Sequence, residues 1–274
     1  MSNTFVGARC FESVFISDVH LGTRGCRADK LLEFLDNISC KKLFLVGDII
    51  DGWQLKNRKY WPEEHKAVIN EFIRLAKTGT EVIFITGNHD EFLRDYSEFH
   101  FGNLILADEF VFHSQKGEKF LVVHGDRFDV ITSCARWMAV LGDIGYNFLL
   151  NMNVVINYFR KKMDRPYWSL SKCVKSKVKR AINFISDFQE NVSSECTKRG
   201  FQGAICGHIH QAELQKDDGF TYMNCGDWVE SCTAIVEGVD GEFQLIDWLR
   251  PPPLNNIVPL PQPATVTDPD RHAA

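Results

Sequence analysis

The chain has 274 residues, of which 45% are hydrophobic, which is ample for one large core with an insertion beside it. A formal net charge of -5 counts against a general nucleic-acid binder, which needs an excess of Lys and Arg. The nine cysteines are odd in number, irregularly spaced and without a C-x-x-C, so they read as reduced thiols rather than as a disulfide or zinc framework.

Met1 to Cys10 lacks the apolar core of a signal peptide, so no export is expected. Ser13 to Ser17 reads as a buried strand that delivers Asp18 and His20 to a loop. Leu31, Leu32, Phe34, Leu35 and Ile38 recur at helical spacing, and Lys41 to Val46 is a second strand that ends at Gly47-Asp48-Ile49-Ile50-Asp51. Trp61-Pro62-Glu63 opens a helix whose stripe of Val68, Ile69, Phe72, Ile73 and Ala76 stops at Gly79. Val82 to Thr86 follows as a strand and hands over to Gly87-Asn88-His89-Asp90. Leu104 to Ala107, Glu109 to His113 and Phe120 to Val123 continue the series, the last leading into His124-Gly125-Asp126. Strands alternating with helices predict an open, largely parallel α/β sheet with its ligand beyond the carboxyl ends of the strands.

Between Asp129 and Gly200 the strand signals vanish. Trp137, Leu141, Ile144, Phe148, Met152, Val155 and Phe159 step by three or four, and a second helix is expected from about Ser169 to Ser194. Asp143, Asn147, Asn151, Asn153 and Asn157 interrupt the first of these, which makes it a poor membrane span. Arg160 to Arg180 holds nine basic residues against the single acid Asp164, which suits either a solvated face or attraction to anionic headgroups or a diphosphate. Strand character returns at Gly203 to Cys206, followed by Gly207-His208-Ile209-His210, and Phe220 to Asn224, Cys232 to Val236 and Glu242 to Ile246 read as an antiparallel finish. Seven of the nine prolines lie beyond Arg250. The resulting division is a core of residues 1–129 and 201–249, a helical insertion over 130–200 and a Pro-rich tail over 250–274, expected to be disordered.

Five short polar clusters thus each follow an apolar run. Hydrolysis of a phosphate ester needs an activated water and a cap on the charge that builds up on phosphorus. Two divalent ions about 3.5–4 Å apart meet both needs, with a bridging hydroxide as the nucleophile. Asp18 and His20 can point at one ion, Asp48 is the natural bridge, Asn88 offers an amide oxygen, and His124, His208 and His210 offer neutral imidazoles. His89 is better used as an acid or hydrogen-bond donor to the leaving oxygen, with Asp51 holding its other nitrogen. Taken singly, a D-x-H or H-x-H is usually a capped turn or a satisfied core polar group, and Asp90 and Asp126 suit loop ties. Five such clusters in order, each after a strand, do not fit that reading. His65, His100, His113 and His272 lie outside the clusters and read as structural or surface.

The ordered set D-x-H, G-D-x-x-D, G-N-H-D, H and G-H-x-H resembles the calcineurin-like metallophosphoesterases over about residues 12 to 247. The resemblance implies a four-layer α-β-β-α sandwich with a dinuclear centre. Asp18, His20, Asp48 and His210 would hold one ion, Asp48, Asn88, His124 and His208 the other, and His89 and Asp51 would form the catalytic dyad. Within that superfamily, the Gly47-to-Trp53 motif, the long insertion and Gly226-Asp227-Trp228 look most like bacterial UDP-2,3-diacylglucosamine pyrophosphatases. That likeness implies a lid over the acyl chains and substrate contacts from Trp53, Ser171, Lys172 and Lys175. It further implies Mn2+ as cofactor, with Fe, Co or Zn compatible with such ligands, and cleavage to UMP and a diacylglucosamine 1-phosphate. The expected setting is cytoplasmic, peripheral at an anionic inner-membrane surface, with a nucleotide-linked lipid as substrate and no nucleic-acid partner; no oligomeric state is implied. The chain departs from the best-known members at His89, where they carry Arg, and in this it matches the wider superfamily. The alternatives are a paralogue acting on another nucleotide or lipid phosphodiester, and a non-catalytic lipid-binding scaffold; no metal ligand is missing, which counts against the scaffold.

Overall fold

A computed structural model describes residues 9–57, 59–97, 99–128, 188–217 and 219–250. In chain order these give β1 (Arg9–Ile16), α1 (Ala28–Asp36), β2 (Ile38–Val46), α2 (Gly52–Asn57), α3 (Glu63–Lys77), β3 (Glu81–Ile85), a 3-10 turn (Glu91–Tyr96), β4 (His100–Phe101), β5 (Leu104–Ala107), β6 (Glu109–His113) and β7 (Lys119–Val123). A helix over residues 188–198, here α4, precedes β8 (Gly203–Cys206), β9 (Glu213–Asp217), β10 (Phe220–Asn224), β11 (Thr233–Glu237) and β12 (Phe243–Asp247).

The open, largely parallel sheet expected from the alternation of strands and helices is in fact two sheets, as the α-β-β-α sandwich implied by the resemblance requires. One has seven strands in the order β12-β11-β1-β2-β3-β5-β4, the other five in the order β6-β7-β8-β10-β9. Parallel pairing is confined to β1-β2-β3-β5 in the first and β7-β8-β10 in the second, and both are closed by antiparallel neighbours. The reason lies in the side-chain alternation of the apolar runs, whose two faces bury against different layers. Phe15, Phe44, Ile83 and Ile85 meet Phe112, Phe120, Val122, Ile205 and Met223 between the sheets. The intervening Val14, Ile16, Leu43, Leu45, Val82 and Phe84 face outward and pack with Leu31, Phe34 and Leu35 of α1 and Val68, Phe72 and Leu75 of α3. On the far side, Leu121, Val123, Ala204 and Cys206 pack with Phe188, Val192 and Cys196 of α4. The order of layers is helix, sheet, sheet, helix, the α-β-β-α sandwich.

The interface between the sheets is aromatic: Phe15 and Phe44 stack at 4.5 Å with 13° between their planes, and Phe112 meets both edge-on. Truncating Phe44 to Ala would cost about 3–5 kcal/mol by the general cost of large cavities. α3 is oriented by its own termini, with Glu63 and Glu64 in the first turn and Arg74 and Lys77 in the last, complementing the helix dipole.

Residues 188–198, grouped by the sequence pattern with the insertion, cover the second sheet. The rest of the insertion, including its apolar stripe and basic run, and the tail from residue 251 lie outside the described residues. Ile38, assigned to the first helical stripe, instead opens β2. No helix among the described residues is long and apolar enough to cross a membrane.

Candidate active site

All five clusters stand at carboxyl ends of parallel strands. Asp18 follows β1, Asp48 follows β2, Asn88 follows β3, His124 follows β7 and His208 follows β8. β1, β2 and β3 are adjacent in one sheet and β7 and β8 in the other, so the sandwich brings both edges to one place. The loops are stitched together by backbone hydrogen bonds: Asp18 N–H to Gly47 O at 3.1 Å, His20 N–H to Asp48 O at 2.9 Å and Gly207 N–H to His124 O at 3.0 Å.

Asp18, His20, Asp48, His208 and His210 all have positive φ, between 52° and 72°, and the only other non-glycine with it among the described residues is Cys232. This conformation is uncommon outside glycine and is held only where the surroundings enforce it. Two glycines allow the close packing. Gly47 itself has φ +76°, and a Cβ there would overlap the His124 ring; a Cβ on Gly87 would overlap Asp48.

The side chains converge. Asp18, His20 and His210 have ligand atoms within 4.8 Å of one another, as do Asp18, Asp48 and His124, and also His20, Asp51 and His89. Three of the imidazoles are turned by Nδ1 toward a protein acceptor. His124 Nδ1 lies 3.0 Å from Val46 O, and His20 Nδ1 and His89 Nδ1 lie 3.3 and 3.0 Å from Asp51 Oδ2. The opposite nitrogens face carboxylates: His124 Nε2 is 3.4 Å from Asp48 Oδ2, His210 Nε2 3.1 Å from Asp18 Oδ1, and His20 Nε2 3.8 Å from the same oxygen. His208 places its ring 5.1 Å from that of His124, and its backbone N–H donates to Asp18 Oδ2 at 2.9 Å. Asn88 is buried at the same edge, and Trp53 lies against the His89 ring at 4.1 Å. Ser171, Lys172 and Lys175 lie outside the described residues.

The electrostatics fit a cation centre. Burial alone would raise the carboxyls, yet the imidazoles outweigh it: His210 holds Asp18 well below the usual range, and His124 holds Asp48 down to about 2. Conversely, burial would lower His20 and His124, yet the neighbouring aspartates push both up to about 10. Asp18 Oδ1 and His124 Nε2 are buried without a hydrogen bond of acceptable geometry despite their close charged neighbours. Oxygen and imidazole donors crowded this way, with the far sides of His20 and His124 held, suit divalent ions of the borderline kind.

Asp90 is the loop tie that the sequence suggested, and His65 and Asp227 support the site beside it. Asp90, buried and raised to about 6 by that burial and by Asp48, accepts N–H bonds from Ile49 at 2.8 Å and Gly87 at 2.5 Å, so it ties two clusters together. His65 is buried, and its Nδ1 accepts the Gly22 N–H at 3.0 Å, linking α3 to the loop after β1. Asp227 sits 3.9 Å from His210 Nδ1. Tertiary packing brings His65 and Asp227 to their partners, so local spacing does not show what they hold, although the sequence singled out Asp227 within Gly226-Asp227-Trp228.

A family model described as calcineurin-like phosphoesterase matches residues 13–212. Among curated relatives, the UDP-2,3-diacylglucosamine hydrolase of Aliivibrio fischeri (strain MJ11) is 28% identical over 259 residues, covering 85% of this chain and 96% of its own. Those of Neisseria gonorrhoeae (strain ATCC 700825 / FA 1090) and Haemophilus influenzae (strain PittGG) are 27% and 24% identical, covering 84% and 86% of this chain and 95% and 98% of their own. Among solved structures, an archaeal phosphodiesterase has 14% identity and a TM-score of 0.41, covering 85% of this chain and 98% of its own. YfcE, a phosphoesterase from E. coli, has 14% identity and a TM-score of 0.40, covering 86% and 98%. With the family model covering strands of both sheets and all five clusters, this chain belongs to the calcineurin-like phosphoesterases and is a hydrolase of phosphoric esters or diphosphates.

Proposed function

We propose that this chain cleaves the diphosphate of UDP-2,3-diacylglucosamine, giving UMP and 2,3-diacylglucosamine 1-phosphate. The observation that carries the chemistry is the set of imidazoles around Asp18 and Asp48: His20 and His124 are oriented through Nδ1, and Nε2 of His20, His124 and His210 faces a buried carboxylate. The names of the relatives support the substrate, since they match nearly their full length.

In this reading Asp18, His20, Asp48 and His210 would hold one divalent ion, and Asp48, Asn88, His124 and His208 a second, with Mn2+ the proposed metal. Such ions supply an activated water and offset charge on the phosphoryl oxygens. The chain's own residues do the rest. Asp48, nearly fully buried, stays ionised as the shared carboxylate. Asp51 Oδ2 lies 3.0 Å from His89 Nδ1, a charged contact that turns the ring so that Nε2 stands 3.8 Å from Asp48 Oδ2. From there His89 donates a hydrogen bond or a proton to the leaving oxygen. Trp53, packed on His89, borders the substrate. Ser171, Lys172 and Lys175 contact the headgroup and the insertion shelters the acyl chains, with the enzyme peripheral at the inner membrane.

His89 also favours a second reading, a phosphodiesterase acting on another nucleotide or lipid, because it is the position at which the chain follows the wider superfamily. The test is a product assay comparing UDP-2,3-diacylglucosamine, UDP-N-acetylglucosamine and a simple phosphodiester, with Mn2+ and then with chelator. UMP released from the diacylated substrate, lost on chelation, is expected. Preference for the simple diester would favour the second reading.

A further inference from the structure

One buried carboxylate beside the centre has no part in the scheme so far. Asp227 is 2% exposed, in the turn between β10 and β11. Its Oδ1 accepts the N–H groups of Val229 at 2.8 Å, Glu230 at 2.5 Å and Ser231 at 3.2 Å, and its Oδ2 accepts the Ser231 hydroxyl at 2.8 Å. The carboxylate is therefore clamped. The same Oδ2 faces His210 Nδ1 at 3.9 Å, while His210 Nε2 reaches Asp18 Oδ1 at 3.1 Å on the other side of the ring. The turn also braces Asp18 directly, since the Trp228 N–H donates to Asp18 O at 3.0 Å.

The other oriented imidazoles show what this arrangement does. His20 and His124 each have a fixed acceptor on Nδ1, at 3.3 and 3.0 Å. The His210 side chain is 42% exposed against 11% for His20 and 0% for His124, so it is the least confined of the three. A ring movement of roughly 1 Å would bring Nδ1 within hydrogen-bond reach of Asp227.

We propose that Asp227 is a positioning residue that orients His210 through Nδ1 and thereby sets the affinity for the ion held by Asp18, His20 and His210. The inference rests on the dinuclear reading above. An acceptor behind a ligand imidazole fixes its tautomer and raises its basicity, and its loss typically costs about 10- to 100-fold in metal affinity.

Asp227→Asn separates positioning from mere turn formation. The amide oxygen can keep the bonds made by Oδ1, while an NH2 replaces the acceptor facing His210. The experiment titrates metal-stripped full-length protein with Mn2+ by calorimetry and by the electron paramagnetic resonance of the free ion. Wild type should bind two ions. Asp227→Asn should lose about 10- to 100-fold at one of them and keep the other within about twofold. It should add no further loss in a His210→Ala background, as expected of residues that act as a unit. Ser231→Ala, which unclamps Oδ2, should weaken the same site less.

Two unchanged affinities in Asp227→Asn, or an equal loss at both sites with a lowered melting temperature, would overturn the inference. Should Asp227→Asn not fold, unchanged binding in Ser231→Ala would overturn it. Wild-type protein that takes up no ion would defeat the dinuclear reading itself and this inference with it, whereas two ions in wild type and no change in the variants would defeat this inference alone.

Discussion

Replacing His89 with Ala isolates the acid from the metal ligands. The ring contributes Nδ1 to Asp51 at 3.0 Å and packs on Trp53 at 4.1 Å, and its Nε2 stands at the centre. Removing it leaves the carboxylates and imidazoles of the other clusters in place. A positioned general acid contributes about 100- to 10,000-fold, which is about 3–5 kcal/mol of transition-state stabilisation. His89→Ala should therefore lower kcat by that factor, change KM little and leave metal content as in wild type. The loss should depend on the leaving group. An alkyl phosphodiester, whose alkoxide needs a proton, should suffer most, and a nitrophenyl ester, whose leaving group needs little help, should suffer least. Steady-state kinetics on such a series, with metal analysis of each preparation, gives the answer. A uniform loss across leaving groups accompanied by loss of metal would refute the assignment and make His89 a ligand.

Three further outcomes follow from the same geometry. Gly87→Ala places a Cβ on Asp48 and should cut Mn2+ affinity and turnover together, read by calorimetry and by kcat, while the circular dichroism spectrum is retained. His65→Ala leaves the Gly22 N–H unpaired in the interior, which costs about 1–3 kcal/mol beyond any cavity term; urea unfolding should show the loss while activity per folded molecule is little changed. For pH, His20 and His124 are raised above the ordinary imidazole value to about 10, so the metal-free fold gains from their protonation below about 6.5 and loses that gain as pH rises toward 10. Ligation needs the neutral rings, so metal affinity should run the other way, rising with pH, with protons released on binding. Calorimetry in buffers of different ionisation heat measures that release, and affinity falling with rising pH would contradict the scheme.

Much of this was legible because the chemistry sits at strand ends. A fully buried strand is a short apolar run, and the first polar residue after Ile16, Val46, Ile85, Val123 and Cys206 opens each cluster or stands just before it. The pairing of strands into two sheets was legible only through the family resemblance of the motifs, not from the local pattern. Phe15 and Val14 are equally apolar, and nothing local says that one faces a sheet and the other a helix. β9, with the sequence Glu-Leu-Gln-Lys-Asp, is an edge strand paired only with β10 and is too polar to announce itself. α2 was missed because six residues containing Gly52 and Trp53 carry too little periodicity, although Asp51 caps it by accepting the Gln54 N–H at 2.8 Å. The positive φ of five cluster residues is likewise invisible in composition, since Asp and His tolerate that conformation without requiring it.

The measurement closest to the central claim is a metal titration read as turnover. Chelated protein is supplied with Mn2+ in steps, and UMP release from UDP-2,3-diacylglucosamine is followed alongside an Asp48→Ala variant. The account predicts no release without metal, activity that reaches its plateau at about two equivalents per chain as a two-ion centre requires, and none at any metal level in Asp48→Ala. Turnover that persists in chelator, or that survives in metal-replete Asp48→Ala, would contradict it.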